Sequence, residues 1–351
     1  MSTILFVDPA CPRPYGADLD GQRVRGLGGT EGTVARLTTE LARTDRVIVA
    51  QHNRERAEMS GGVEFVPASR LHRDMQPDAV VVLRRPRQLR VVRRLFPHAR
   101  SFLWMHDWYM APPYWFMHPL KQARHLGMLR SLLATDSTLV CVSGAHLASV
   151  ESFVRRSLIR GKSLLEQVRK TYVYNVVAVP EHLQDSATRP PMNPHKLLFG
   201  SLWKGLDLVL LAFEHIRRTL PQMELHVSFY EPPNMRRLPA NVFNLGHLSH
   251  DEFCHHLAES FCYFYPAYRI PETFGLVFGE SHAVGTPVLA HHFDAAPELL
   301  SPVEVLDARN LDAVTNRLAD WYRNGRPAVV ARPEYLIAQV ARRWTELFNR
   351  G

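Results

Sequence analysis

The feature that most restricts this chain is an alternation that is set up once, interrupted, and set up again. Short β-branched apolar runs are each followed by a longer segment of helical spacing. The first series comprises TILFV (3–7), RVIVA (46–50), VEFVP (63–67), AVVVL (79–83), SFLWM (101–105) and TLVCVS (138–143), with YVYNVVAVP (172–180) as last strand and exit. Continuous apolar character, rather than in–out alternation, marks strands buried on both faces, as in parallel sheets. A proline-rich polar passage, EHLQDSATRPPMNP (181–194), breaks the pattern as a linker would. It resumes with KLLFG (196–200), ELHVSFY (224–230), VFNLG (242–246), CYFYP (262–266), PVLAH (287–291) and VEVLD (303–307). The expected fold class is α/β, with doubly wound Rossmann-like domains over 1–180 and 195–330 facing each other across a cleft. A helical segment closes the chain over 331–351, with Leu336, Val340, Trp344 and Leu347 on one stripe.

Bulk properties narrow the function classes. A length of 351 residues suits two cores, and 46% hydrophobic with 22% charged residues excludes a disordered chain. A net charge of +8 points to an anionic partner: nucleic acid, a phosphorylated metabolite or an acidic membrane face. Cys11, Cys141, Cys254 and Cys262 have no C-x-x-C spacing and read as reduced thiols of a cytoplasmic protein. MSTILFVDPA has neither the basic start nor the apolar length of a signal peptide, and no run approaches the roughly 18 apolar residues of a membrane span.

Ligands of doubly wound sheets sit beyond the carboxyl ends of the strands, so loops there carry the candidates. In GLGGTEGTVARLTTELA (26–42), Gly28 and Gly29 precede an expected N-cap at Thr30, and Val34, Leu37 and Leu41 form a core stripe. Glycines before a helix let backbone N–H groups and the helix dipole meet a phosphate. The stretch is not a dinucleotide fingerprint, because Glu31 occupies the third glycine's place. Asp18 and Asp20 of DLD follow no apolar strand and read as a solvated loop, so no metal is expected. His106 and Asp107 end the strand SFLWM. The stretch from Arg84 to Arg100 has seven arginines and no acid, and reads either as a solvated helix face or as a dock for an anionic acceptor or lipid surface. Residues 111–133, rich in aromatic, Met and basic side chains, suit a buried helix or an interfacial acceptor loop.

The second half is more specific. LLFGSLWKGLDLV gives a strand, a short loop with Lys204 and Gly205, and a helix. NLGHLSHDEF (244–253) gives a glycine turn and an acidic helix start, and PETFGLVFGESHAVGTPVLA (271–290) sets Glu272 and Glu280 eight positions apart around Gly275. Together with the weaker landmarks GGTE, HDW, CVSGAH and YNVVAVP, these stretches resemble the retaining, nucleotide-sugar-dependent glycosyltransferases of the GT-B fold, the group 1 family related to sucrose synthases and bacterial cell-envelope glycosyltransferases. The resemblance covers most of residues 3–300.

The resemblance implies a role for each matching residue. Glu280 would accept hydrogen bonds from the donor ribose, and Glu272 would border the donor sugar. The backbone N–H groups of Thr273, Phe274 and Gly275 would hold sugar hydroxyls and phosphate. Lys204 would stabilise the leaving diphosphate, Gly28 and Gly29 would admit it, and His106 would lie beside the transferred sugar. Ser201 stands where the family has an arginine, which leaves the usual two-cation clamp incomplete. No cofactor is expected beyond the donor, with UDP favoured as its nucleotide. The acceptor is a glycan, a lipid-linked sugar or a small molecule, with peripheral contact at an anionic membrane as a further partner and no nucleic acid. Two rival readings are a nucleotide-sugar epimerase of the same fold and a non-catalytic polyanion-binding protein.

Overall fold

Strands that are apolar on both faces need cover on both, and in the computed structural model helices and parallel sheets satisfy that need twice. The structure describes residues 1–18, 28–107, 119–157, 161–200, 204–228 and 238–349. One compact unit is Met1–Val176 with Glu334–Gly351, and the other is Val177–Pro333.

In the first unit the strands are β1 (Thr3–Asp8), β2 (Arg46–Gln51), β3 (Glu58–Ser60), β4 (Val63–Pro67), β5 (Ala79–Leu83), β6 (Arg100–Trp104), β7 (Thr138–Cys141) and β8 (Lys170–Tyr172). They lie in the order β3-β4-β2-β1-β5-β6-β7-β8, parallel throughout except for the β3–β4 pair. The helices are α1 (Gly29–Leu41), α2 (Gln88–Leu95), α3 (Pro119–Ala134), α4 (Gly144–Ser157) and α5 (Gly161–Glu166). In the second unit β9 (Asn193–Phe199), β10 (Glu224–Ser228), β11 (Val242–Gly246), β12 (Ser260–Tyr265), β13 (Val288–His291) and β14 (Val305–Leu306) form an all-parallel sheet ordered β11-β10-β9-β12-β13-β14. Its helices are α6 (Leu206–Arg217), α7 (His250–Glu259), α8 (Leu276–Ala283), α9 (Ala296–Leu299) and α10 (Leu311–Asn324). The chain then returns to the first unit as α11 (Ile337–Asn349). Trp344 of α11 is fully buried there, its ring 4.9 Å from Trp104, 6.1 Å from Phe102 and 6.5 Å from Phe6.

Both sheets reverse their winding at one place. The chain builds outward from β1 through β2 and then from β1's other side with β5; in the second sheet it does the same around β9 with β12. At such a switch point the loops after the two flanking strands diverge and leave a crevice at the carboxyl edge. The pairs β1/β5 and β9/β12 therefore determine which loops meet within each unit.

Several expectations change. The run 172–180 is not a strand: β8 ends at Tyr172, and Val173, Val176 and Val177 are buried outside any strand. The passage 181–194 belongs to the second unit, where the Arg189 guanidinium donates to the carbonyls of Leu183 (2.8 Å) and Ala283 (3.0 Å). α11 begins only after a 3-10 turn at Pro333–Tyr335, so Leu336 is half exposed and Ala341 joins Val340, Trp344 and Leu347 on the buried face. α3 buries Met128, Leu129 and Leu132, which favours the core-helix reading of that segment. The rest of it, 111–118, lies outside the described residues.

Candidate functional site

The second unit's switch point collects the charged residues of the two motifs. The chain leaves β9 at Gly200 and reaches Lys204 just before α6; it leaves β12 at Pro266 and reaches Glu272 just before α8. Lys204 Nζ donates to Glu272 Oε1, and the Tyr265 hydroxyl at the end of β12 donates to the same oxygen at 2.8 Å. The lysine and carboxylate are only 18% and 13% exposed, so water screens the pair weakly. Burial, then the Glu272 charge, pushes the Tyr265 phenol well above its ordinary range, and it stays a donor.

Gly275 caps α8 at φ 71°, a left-handed backbone that a side chain resists. It carries the chain from Glu272 onto the helix through half-buried Thr273 and fully buried Phe274. One turn into α8, the buried Glu280 carboxylate meets His250 Nε2 at 3.0 Å. His250 is the first residue of α7, a start fixed by a capping box between Ser249 and Glu252 (Ser249 N to Glu252 Oε2, 2.7 Å). The adjacent Cys254, His255 and His256 do not converge on one point: Cys254 is buried, whereas His255 reaches Glu259 (3.2 Å) and His256 reaches Lys196 (2.7 Å). Ser201 lies outside the described residues.

The first unit has its own charged switch point. Asp8 ends β1 and Arg84 follows β5 at φ 58°. Arg84 Nη2 donates to Asp8 Oδ1 (3.2 Å) and to Glu31 Oε1 (2.9 Å), and the Tyr15 hydroxyl donates to Asp8 Oδ2 (3.0 Å). Asp8 and Glu31 are essentially inaccessible, so Arg84 is not part of a solvated or docking face as its arginine-rich neighbourhood suggested. Arg85, Arg87, Arg90 and Arg94 are exposed. α1 begins at Gly29 with Gly28, not Thr30, at the N-cap, because the Glu31 carboxylate reaches back to the Gly28 N–H at 3.0 Å. The amide that sequence reasoning offered to a phosphate already holds a carboxylate.

His106 is buried against Trp104, ring centroids 4.4 Å apart. Burial, then the Arg84 charge, pushes its imidazole well below the ordinary range, so it is neutral at pH 7. His146, in the first turn of α4, is lowered to about 4, first by burial. Asp107 is exposed, and of the DLD acids Asp20 lies outside the described residues.

The structure thus brings Lys204 and Glu272 into contact and sets Glu280 eight positions on, in the helix that Gly275 starts. Tyr265 and His250 are partners that sequence reasoning missed. Both lie in or beside the motifs, but neither stands out: Tyr265 reads as a core aromatic and His250 as a helix-start residue.

Residues 200–338 match the family model described as Glycosyl transferases group 1. A comparison with curated proteins finds no match. Among solved structures, sucrose-phosphate synthase from Thermosynechococcus elongatus is 15% identical, with 99% of this chain and 95% of that chain covered and a TM-score of 0.64. HepE of Anabaena in complex with UDP-glucose is 15% identical, covering 99% of both chains at a TM-score of 0.64. An α,α-trehalose-phosphate synthase (UDP-forming) from Burkholderia xenovorans in complex with glucose-6-phosphate is 10% identical, covering 99% of this chain and 100% of that chain at a TM-score of 0.69. Residues 200–338 thus match a glycosyl transferases group 1 domain, and the chain shares the GT-B fold of these structures.

Proposed function

We propose that the chain is a metal-independent, retaining transferase that moves a sugar from a nucleotide diphosphate sugar, with UDP favoured, to a hydroxyl of a glycan, a lipid-linked sugar or a small molecule. The observation that carries this reading is the Lys204–Glu272–Tyr265 cluster at the second unit's switch point, with Glu280 held by His250 on the following helix. The UDP-glucose complex of HepE and the UDP-forming trehalose-phosphate synthase support a UDP-sugar donor.

In this reading each group has one task. Glu280 accepts from the ribose hydroxyls while His250 fixes its second oxygen. Glu272 accepts from a hydroxyl of the donor sugar, and the amides at Thr273, Phe274 and Gly275 donate to sugar and phosphate. The bond from sugar C1 to the diphosphate breaks, the acceptor oxygen bonds C1 on the same face, and the acceptor's proton passes to the diphosphate. Negative charge grows on the leaving oxygens, and Lys204 is the cation placed to stabilise it. His106 of the first unit is neutral at pH 7, so any part it takes in transfer is that of a hydrogen-bonding group rather than a cation.

Thermal-shift screening with UDP, GDP and ADP, followed by donor consumption with and without acceptors, tests this. A transferase releases free nucleoside diphosphate, whereas an epimerase leaves the nucleotide on its sugar. Absence of stabilisation by all three nucleotides would overturn the reading.

A further inference from the structure

A departing diphosphate carries at least two negative charges, yet the segment from Gly200 to Leu206 brings only Lys204 to the start of α6. A second cation stands on the facing loop. Arg269, between β12 and α8, pairs with Asp207 in the first turn of α6, Nη1 to Oδ2 at 2.6 Å. Two ion pairs therefore tie the same two segments together: Lys204 with Glu272, and Arg269 with Asp207. The backbones are also close: a Cβ on Gly205 would lie 3.4 Å from Ala267 Cβ, and Gly205 itself adopts φ 113°.

We infer that Arg269 is the second diphosphate-binding cation of the donor site, a charge that Ser201 does not supply. This rests on the nucleotide-sugar reading above. Three observations support it. First, Arg269 and Asp207 are 57% and 59% exposed, so water screens their attraction and the pair contributes little to stability. A phosphate, which a guanidinium can grip through two parallel N–H bonds, competes well for Arg269. Second, both carboxylates keep a partner when the cations turn to phosphate. Glu272 retains the Tyr265 hydroxyl, and Asp207 sits in the first turn of α6, where the helix dipole favours negative charge. Third, Arg269 lies three positions before Glu272 and Asp207 three after Lys204, so both cations stand on the two segments that follow the neighbouring strands β12 and β9.

In the protein alone, the cluster is a neutral set of two acids and two bases. The diphosphate takes both bases, and the acids stay with phenol and helix. Asp207 is thus a competitor for Arg269, so removing the acid and removing the base have opposite effects.

Calorimetry on the full chain tests this with UDP, GDP and ADP and their monophosphates, using wild type, Arg269→Ala, Arg269→Lys, Asp207→Asn and Lys204→Ala. For the nucleotide that binds wild type, Arg269→Ala weakens the diphosphate about 10-fold and the monophosphate less than about threefold, since one charge-assisted contact is lost. Arg269→Lys recovers part of that loss, and Asp207→Asn leaves diphosphate affinity equal or tighter. Both changed positions are exposed, so unchanged melting temperatures are expected alongside. If Lys204→Ala weakens the diphosphate but Arg269→Ala does not, Arg269 is not the second cation and the donor-site reading stands. If wild type binds no nucleoside diphosphate, the donor-site reading itself fails.

Discussion

Lys204→Ala separates what the lysine does for folding from what it does for turnover. In the free protein Lys204 neutralises Glu272, and both are largely screened from water. Truncation leaves the carboxylate with the Tyr265 hydroxyl, one neutral donor at 2.8 Å. A largely buried acceptor that loses its charged partner costs about 1–3 kcal/mol, so urea unfolding of the second unit should shift by that amount. Turnover should fall by about 10²–10³, the usual loss when one preorganised donor to a developing anion is removed. The double variant Lys204→Ala/Glu272→Gln removes the orphaned charge. Its stability should return to within about 1 kcal/mol of wild type, while donor turnover stays depressed. Two results would refute the reasoning: Lys204→Ala turning over within about threefold of wild type, against the larger loss expected of a lost anion donor, or the double variant regaining turnover along with stability. Either would mean that Lys204 exists to balance Glu272 and not to serve a leaving group.

Three further outcomes are expected. Glu280→Ala should weaken nucleoside diphosphate binding by about 10-fold or more, as loss of a hydrogen bond to a charged group implies, and unchanged calorimetric affinity would remove Glu280 from the ribose. Arg84→Ala should lower the first unit's stability by about 3–5 kcal/mol, because it strands the buried Asp8 and Glu31 carboxylates; a shift below about 1 kcal/mol in denaturant unfolding would show that Tyr15 and the Gly28 amide suffice. Burial lowers the His146 imidazole from 6.5 to about 4. Above 6.5 neither folded nor unfolded chain protonates it; between 6.5 and about 4 only the unfolded chain does, so stability is lost as pH falls through that window. The loss should approach about 3 kcal/mol for this residue, and His146→Gln should flatten the profile; an unchanged slope between wild type and variant would count against it.

The strands were legible because burial on both faces leaves runs with no polar interruption, as in AVVVL of β5, all five residues of which are buried. The same signal misled at 172–180, since an apolar run reports burial and not pairing. β3 escaped notice because EMS is short and largely exposed, an edge strand with no buried residue. At the site, Lys204 and Glu272 could be read from their motifs, but their contact depends on β9 and β12 being neighbours, which no local pattern states. The Asp8–Arg84–Glu31 cluster was hidden for the same reason. Its members are up to 76 positions apart and meet only because β1 pairs with β5. Within the sequence Arg84 looked like one more arginine of a basic stretch. Its buried role comes from standing at the end of a central strand, a position that outweighs the charge around it.

Hydrogen–deuterium exchange with and without saturating UDP tests the central proposition, that the second unit's switch point holds the donor nucleotide, most directly. Slowed exchange should appear in two stretches, the start of α6 from Lys204 and the segment from Glu272 into α8, with the α7 start at His250 slowing as well because it holds Glu280. Protection confined to other parts of the chain, with both stretches exchanging as in the free protein, would contradict the account.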